Sequence, residues 1–209
     1  DYAASIVSKE EAEKLRRDVI GAPDRPLLSH DMEDFLSGAL SRSVATGQPW
    51  RLIGNAIPMA RMAVPDLIGA GLLPDPATPG LPLATRGLAW KAKWNLPFYP
   101  DTWDGYPWAR ERFYDICRAA GATDLIVLTG DSHSFWANRL SDGKGAPMGV
   151  ELGTAGVTSP GDFVESGFDA DLSARLDTAF ADLIDEVLWT DNFRQGYVRV
   201  DLRREAAQA

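Results

Sequence analysis

The sequence predicts an α/β or α+β domain in which helices pack on a sheet. Three observations predict it. Asp124–Thr129 (DLIVLT) is a continuous apolar run of the kind that forms a strand buried on both faces. Ser29–Thr46 and Trp108–Ala120 each carry an apolar stripe at helical spacing. Gly196–Leu202 alternates Tyr197, Arg199 and Asp201 with Val198, Val200 and Leu202, which is the period of a strand with one solvated face. The 209 residues fit one domain or two small ones, and are read as a single domain over 1–209. A hydrophobic share of 45% and a charged share of 24% are those of a globular chain, which excludes a disordered or fibrous one.

The elements follow in order. Residues 9–20 (KEEAEKLRRDVI) are rich in helix formers, with Ser8 as N-cap, and the run Gly21-Ala22-Pro23-Asp24 breaks the helix. The second helix, Ser29–Thr46, places Met32, Phe35, Leu36, Ala39, Leu40 and Val44 on one face, and Gly47 stops it. Trp50–Met59 reads as a mostly buried strand leading into a turn. Residues 60–105, punctuated by prolines and glycines, read as a long irregular segment, functional or a lid. Its aromatics Trp90, Trp94, Phe98, Tyr99 and Trp103 argue that it is packed rather than disordered. Pro107 suits a first helical position, and the helix that follows carries Phe113, Ile116, Cys117 and Ala120 on one face until Gly121. Met148–Leu152 is a short strand, 153–161 a loop, and Asp171–Trp189 an amphipathic helix through Leu172, Leu176, Ala179, Phe180, Leu183 and Val187. With only about four strands, the sheet reads as half of a larger layered fold.

Composition excludes several functions. There are 21 basic and 30 acidic side chains, a net charge of −9, and such a surface repels phosphate backbones, so non-specific nucleic-acid binding is not expected. No apolar run reaches the roughly 18–20 residues that span a bilayer. One cysteine, Cys117, rules out an internal disulfide and a cysteine-only zinc site, and its place on an apolar helix face reads as packing. Residue 1 is Asp and no signal-peptide pattern is present, so the expectation is a processed chain or a piece of a longer one.

Few residues can carry chemistry. His30 sits in a helix start between Ser29 and Asp31 and reads as solvated. His133, in LTGDSHSFW, follows a buried strand, and ligands in α/β sheets gather outside the carboxyl ends of strands. Gly130 lets the backbone turn and approach another group closely. Asp131 and His133 are two apart, so in an extended segment both point the same way and offer a cation one oxygen and one nitrogen. A metal needs at least four positions, so the remainder must come from elsewhere. The other reading is a strand-end turn with a capping Asp131 and an incidental His133. Gly-Asp-Ser after a strand also suggests Ser132 as the nucleophile of a serine hydrolase, but that chemistry needs a histidine base, and none follows His133. Asp101–Tyr106 (DTWDGY) is dense in aromatics and carboxylates, consistent with either substrate contact or loop anchoring. Arg110 and Arg112 beyond it either face an anion or pair with Glu111 and Asp115.

At LTGDSHSFWANRL and TWDGYPWARERF the sequence resembles the PhoD-like alkaline phosphatase family. The resemblance continues in PDRPLLSHDMEDFLSGAL with QPWRLIGNAIPMARM, in GTAGVTSPG and in NFRQGYVRVDL, in preserved order from about Asp24 to Leu202. It implies a metallophosphatase fold, two mixed sheets packed together and flanked by helices, of which this chain is the C-terminal part. It implies hydrolysis of phosphate monoesters and diesters at a cluster of iron and calcium, with Asp131 and His133 as metal ligands from the family's final Gly-Asp-x-His motif. Trp103, Asp104 and Tyr106 would line the rim, with Arg110 orienting it. The family's earlier ligand motifs have no counterpart in residues 1–23, so the expected phosphoesterase needs a preceding part of the same protein and the isolated chain should be nearly inactive. Ala56 stands where the family often has a glutamine. The family is commonly periplasmic or secreted. The alternatives are a catalytically incomplete domain serving as a binding module through the aromatic segment, and the serine hydrolase.

Overall fold

A computed structural model describes residues 8–209. In chain order it contains α1 (Lys9–Lys14), α2 (His30–Ala45), β1 (Arg51–Asn55), α3 (Leu83–Trp94), α4 (Pro107–Ala119), β2 (Leu125–Thr129), β3 (Phe135–Ser141), β4 (Pro147–Gly153), α5 (Asp162–Glu165), α6 (Ala170–Leu183), β5 (Val187–Asp191), β6 (Asp201–Arg203) and β7 (Ala206–Gln208). Residues 1–7 of the predicted single domain lie outside the described residues.

The helix starts are written in side-chain chemistry. Ser8 Oγ accepts from the Glu11 backbone N–H at 3.2 Å while the Glu11 carboxylate takes the Ser8 N–H at 3.2 Å, a reciprocal cap that satisfies two otherwise orphaned donors. After Lys14 the helix widens into a π-helical turn, Leu15–Ile20. Arg25 Nη1 caps that end, donating to the carbonyls of Val19 (2.6 Å) and Ile20 (2.9 Å) and onward to Gly105 (3.1 Å). Ser29 caps α2 by accepting from Met32 N–H. The apolar stripe of α2 is only half used: Leu40 is buried and Leu36 packs on the core, whereas Met32 and Phe35 are exposed. α2 leans on α4 with Glu33 accepting from Arg112 at 3.0 Å, which leaves the Met32 side uncovered.

Strand order is β1-β2-β4-β3-β5, with β1, β2 and β4 parallel and β3 antiparallel to both neighbours. β6 and β7 form a separate antiparallel hairpin. The five-stranded sheet and flanking helices give the mixed α/β architecture that the sequence predicts. The core gathers Val127, Trp136, Leu140 and Met148 with Phe113, Cys117, Leu176 and Phe180. The register row through Leu52, Ile126 and Val150 lies on the opposite face, where Leu52 and Val150 stay exposed. Among the described residues no helix is long and apolar enough to cross a membrane.

Four local readings are corrected. The segment 60–105 is not irregular throughout: α3 lies inside it, with Leu88, Ala89 and Ala92 buried, and ends at Asn95 in the left-handed conformation (φ 49°). Residues 62–64 and 96–98 are stitched together by Val64 N–H to Leu96 O (2.8 Å) and Phe98 N–H to Met62 O (2.9 Å). β3 was hidden because its inward positions, Trp136, Asn138 and Leu140, include a polar residue. The helix predicted to reach Trp189 stops at Leu183, where Ile184 turns extended (φ −114°, ψ 113°). Beyond it the buried Glu186 carboxylate collects Arg61 N–H (2.6 Å), Ser141 N–H (3.0 Å) and Ser141 Oγ (2.6 Å), and the chain continues as β5. Within 196–202 only the last two residues are in a strand, β6.

Candidate functional site

The carboxyl ends of β1, β2 and β4 lie side by side, with Asn55 opposite Thr129 and Thr129 opposite Gly153. β5 runs the same way as β4, so Asp191 reaches this edge too, opposite Phe135. Loops leaving four strands therefore converge where α/β sheets place ligands. The Gly130–His133 turn is the loop that leaves the inner strand β2.

That turn is not extended. Asp131 and His133 both have positive φ, 64° and 51°, and Ser132 N–H bonds back to Gly130 O at 2.7 Å. The period-two argument for Asp131 and His133 therefore fails, and so does the role assigned to Gly130, where a Cβ would meet nothing. Left-handed residues other than glycine cost roughly 1–3 kcal/mol, and they cluster at functional sites. Asp131 is exposed and His133 half-buried. Neither side chain makes a hydrogen bond within the described residues, although His133 lies within electrostatic reach of Asp162. Asp131 and His133 thus present unspent donors. Among the described residues, however, no group of three or more His, Cys, Asp or Glu is arranged to hold a metal ion. An oxygen and an imidazole nitrogen suit part of an iron or calcium-and-iron donor set, not the whole of one.

The other side chains of the turn are occupied. Ser132 is buried; its Oγ accepts from Trp136 Nε1 (3.2 Å) and faces Ser134 O (3.5 Å), with no histidine hydrogen-bonded to it. That arrangement leaves no activated serine. Behind the turn, Tyr99 donates its hydroxyl to the Asp162 carboxylate in a short hydrogen bond and lies 3.4 Å from Ser132 O. Burial, then the Asp162 charge, lifts the Tyr99 phenol well above its usual range. Burial likewise raises the Asp162 carboxyl, against the opposing Tyr99 bond.

The Trp103–Tyr106 turn contrasts with this. Trp103 is buried against Phe113 (centroids 5.5 Å) and donates Nε1 to Asn55 Oδ1 at 3.2 Å, which anchors the turn to the strand beside Gly130. Asp104 is buried, accepting from Met62 N–H (3.0 Å) and Arg110 (3.4 Å); desolvation raises its carboxyl and Arg110 opposes the shift. Arg110 is 3% exposed and also donates to Met59 O (3.2 Å). A Cβ at Gly105 would collide with the Pro100 carbonyl, so this position needs glycine. Tyr106 is half-buried beneath the Arg25 guanidinium, 4.2 Å from its centroid. Asp104 and Arg110 are therefore together but turned inward. His30 is exposed at the start of α2, and Cys117 is buried, its thiol pushed up to about 12 by desolvation.

Sequence reasoning missed the fastening of the strand-edge loop after β1. Four successive N–H groups end on buried carboxylates: Met59 (2.6 Å) and Ala60 (3.1 Å) on Glu151, Arg61 (2.6 Å) on Glu186, Met62 (3.0 Å) on Asp104. Glu151 is completely buried and also takes Asn138 Nδ2 at 2.8 Å. The signal was present only as an isolated Glu in the apolar run MGVEL. Asp177 and Asn192 were missed as well; Asn192 donates its N–H and Nδ2 to Asp177, and its carbonyl receives Phe163 N–H.

The model of the PhoD-like phosphatase family matches residues 3–209. The chain belongs to this family. Alkaline phosphatase D of Bacillus subtilis (strain 168) is 34% identical over 90 residues, covering 38% of this chain and 15% of that protein. The solved structure of PhoD superposes with a TM-score of 0.54 at 21% identity, covering 91% of this chain and 29% of the other. The likeness supports a metallophosphatase-type α/β fold. This PhoD-like chain spans less than a third of the length of either relative.

Proposed function

We propose that this chain supplies one side of the active site of a metal-dependent phosphoesterase, with Asp131 and His133 as two of its metal ligands. One observation carries the reading: in a PhoD-like chain, the inner strand β2 ends in a strained turn whose carboxylate and imidazole make no hydrogen bond within the described residues. The substrate class is phosphate monoesters and diesters, and the cations are calcium and iron. Bound cations there would neutralise charge on phosphate oxygens and lower the pKa of a water nucleophile. Among the described residues no third His, Cys, Asp or Glu joins this pair, so the remaining ligands would come from outside them and the 209 residues alone would form an incomplete centre. Ser132 N–H and hydroxyl hold the turn. Trp103, through Asn55, fixes the neighbouring strand end, and the inward pair Asp104–Arg110 ties the turn that carries Trp103 to the loop after β1. Tyr106, half-buried, is the member of that turn with surface left for a substrate.

The test is turnover of p-nitrophenyl phosphate and bis-p-nitrophenyl phosphate by the full-length protein with calcium and ferric iron. His133→Ala is expected to lower kcat/KM by about 10³-fold, roughly 4 kcal/mol of transition-state stabilisation, with an unchanged far-UV circular dichroism spectrum. Wild-type rates in that variant would remove the ligand assignment. Robust turnover by residues 1–209 alone would refute the incomplete centre.

A further inference from the structure

The loop that leaves β4 comes back to the Gly130–His133 turn at Gly161 and Asp162, and it is held there by close packing. A Cβ at Gly161 would collide with the Asn192 carbonyl and lie 3.3 Å from His133 O, so glycine alone lets these backbones meet. The Asn192 side of the contact is itself fixed. Asn192 O receives Phe163 N–H at 3.3 Å, and Asn192 donates Nδ2 to Asp177 at 2.7 Å. Asp162, one residue beyond Gly161, is thereby placed beside the turn.

The Asp162 carboxylate is tied to the turn by a second route. It accepts the short hydrogen bond from the Tyr99 hydroxyl, which lies 3.4 Å from Ser132 O. The Tyr99 ring is locked against Phe98 (centroids 4.4 Å) and edge-on to Trp136 (6.3 Å), and Trp136 Nε1 donates to Ser132 Oγ. A phenol does not need a carboxylate as its acceptor, and a half-buried carboxylate is costly, more so with Glu165 nearby. Two cationic or polarisable neighbours can use its charge. Lys91 is one, but its ammonium already donates to Phe98 O at 2.6 Å. His133 is the other, and its ring makes no hydrogen bond within the described residues.

We propose that Asp162 is the positioning residue of His133: in the metal-loaded protein its carboxylate, anchored by Tyr99 and Gly161, takes the imidazole N–H and leaves the other ring nitrogen to the cation. The inference rests on the metal-ligand reading above. An imidazole that ligates a metal commonly gives its second ring N–H to a carboxylate, which fixes the tautomer and the ring orientation and raises the basicity of the ligating nitrogen. A cation on the ring polarises that N–H in return, so the charge of Asp162 is used when the site is filled. Asp162 itself touches neither cation nor phosphate. It acts through His133 alone, whereas an aspartate that only braced the loop would act on the whole turn, Asp131 included.

The experiment is a double-mutant cycle on the full-length, metal-loaded protein. The readout is the EDTA concentration that strips half of the bound iron and, separately, half of the bound calcium, by elemental analysis. The cycle is scored on the cation that His133→Ala loosens. Asp162→Asn keeps the size and an acceptor for Tyr99 but removes the charge. It is expected to lower the stripping concentration about tenfold at an unchanged Tm, and to add nothing in the His133→Ala background. Tyr99→Phe unties the carboxylate while keeping the ring. It should act in the same direction, again only with His133 present, and it decides the matter if Asp162→Asn does not fold. Wild-type metal retention in the folded variant, or an equal further loss in the His133→Ala background, overturns the inference and leaves the metal-ligand reading standing. Wild-type retention of both cations by His133→Ala removes the two together.

Discussion

Asp131 and Asp104 are both aspartates in turns beside the same sheet edge, and the fold uses them in opposite ways. Asp131 is exposed, held at φ 64°, and makes no hydrogen bond within the described residues. Asp104 is buried, bound by Met62 N–H and by Arg110, and its carboxyl is pushed up by desolvation. The difference teaches how two turns of like composition come to spend their polar atoms differently. The Trp103–Tyr106 turn spends its polar atoms on the protein and becomes rigid. The Gly130–His133 turn accepts backbone strain and keeps its donors free for something outside. Residue type does not separate the two, since each is a four-residue segment with one aspartate and one glycine.

The largest effect expected from this contrast is on stability. Arg110→Met keeps the bulk of the side chain but leaves the Asp104 carboxylate buried without its cation. Removing one partner of a buried pair costs about 3–5 kcal/mol. Urea denaturation should show that loss as a lower midpoint at unchanged slope. A loss below about 1 kcal/mol would mean that the pair is solvated, and the two turns would then be of one kind.

That distinction also sets what could be read from the sequence. Ser8, α2, α4 and β2 were legible because caps and apolar spacing act over three or four residues. α3 was not, since Pro82 offers no side-chain cap and prolines crowd its approach. The end of α6 was not legible because it is decided by Glu186, whose partners Arg61 and Ser141 are remote in sequence. At the site, the identity of Asp131 and His133 was visible as a motif, but their conformation was not. The inward orientation of Asp104 and Arg110 was equally hidden, because it depends on Met59 and Met62 in a loop leaving another strand.

A third carboxylate sharpens the comparison at intermediate size. Asp177 accepts from Asn192 N–H and Nδ2, as Asp104 accepts from its partners, yet lacks a strong cation; desolvation raises its pKa from 3.8 to about 6. The folded value then exceeds the unfolded one. Its contribution is fully present below about pH 4 and is lost as pH rises through 6. A shift of this size is at most about 3 kcal/mol, and screening of the part-exposed group reduces it to about 1–2 kcal/mol. The unfolding free energy of wild type relative to Asp177→Asn should therefore fall by that amount between pH 4 and pH 7. A flat difference would place Asp177 in solvent.

The smallest effect has the most informative sign. If strain is what distinguishes the Gly130–His133 turn, glycine at position 131 should relieve it. A left-handed L-residue costs about 1–2 kcal/mol, somewhat less for aspartate, and glycine returns part of the gain as unfolded-state entropy. Asp131→Gly should thus stabilise the fold by up to about 1 kcal/mol, and Asp131→Ala, which keeps the Cβ and loses the tolerance of aspartate, should destabilise it. The opposed shifts in Tm, about 2–4 °C per kcal/mol for a domain of this size, are measurable by calorimetry. Destabilisation by both would mean that the carboxylate has a structural partner, and Asp131 would then belong with Asp104. Stabilisation by glycine together with loss of ester turnover in the full-length protein would mean that the conformation costs stability and is kept for what the carboxylate binds.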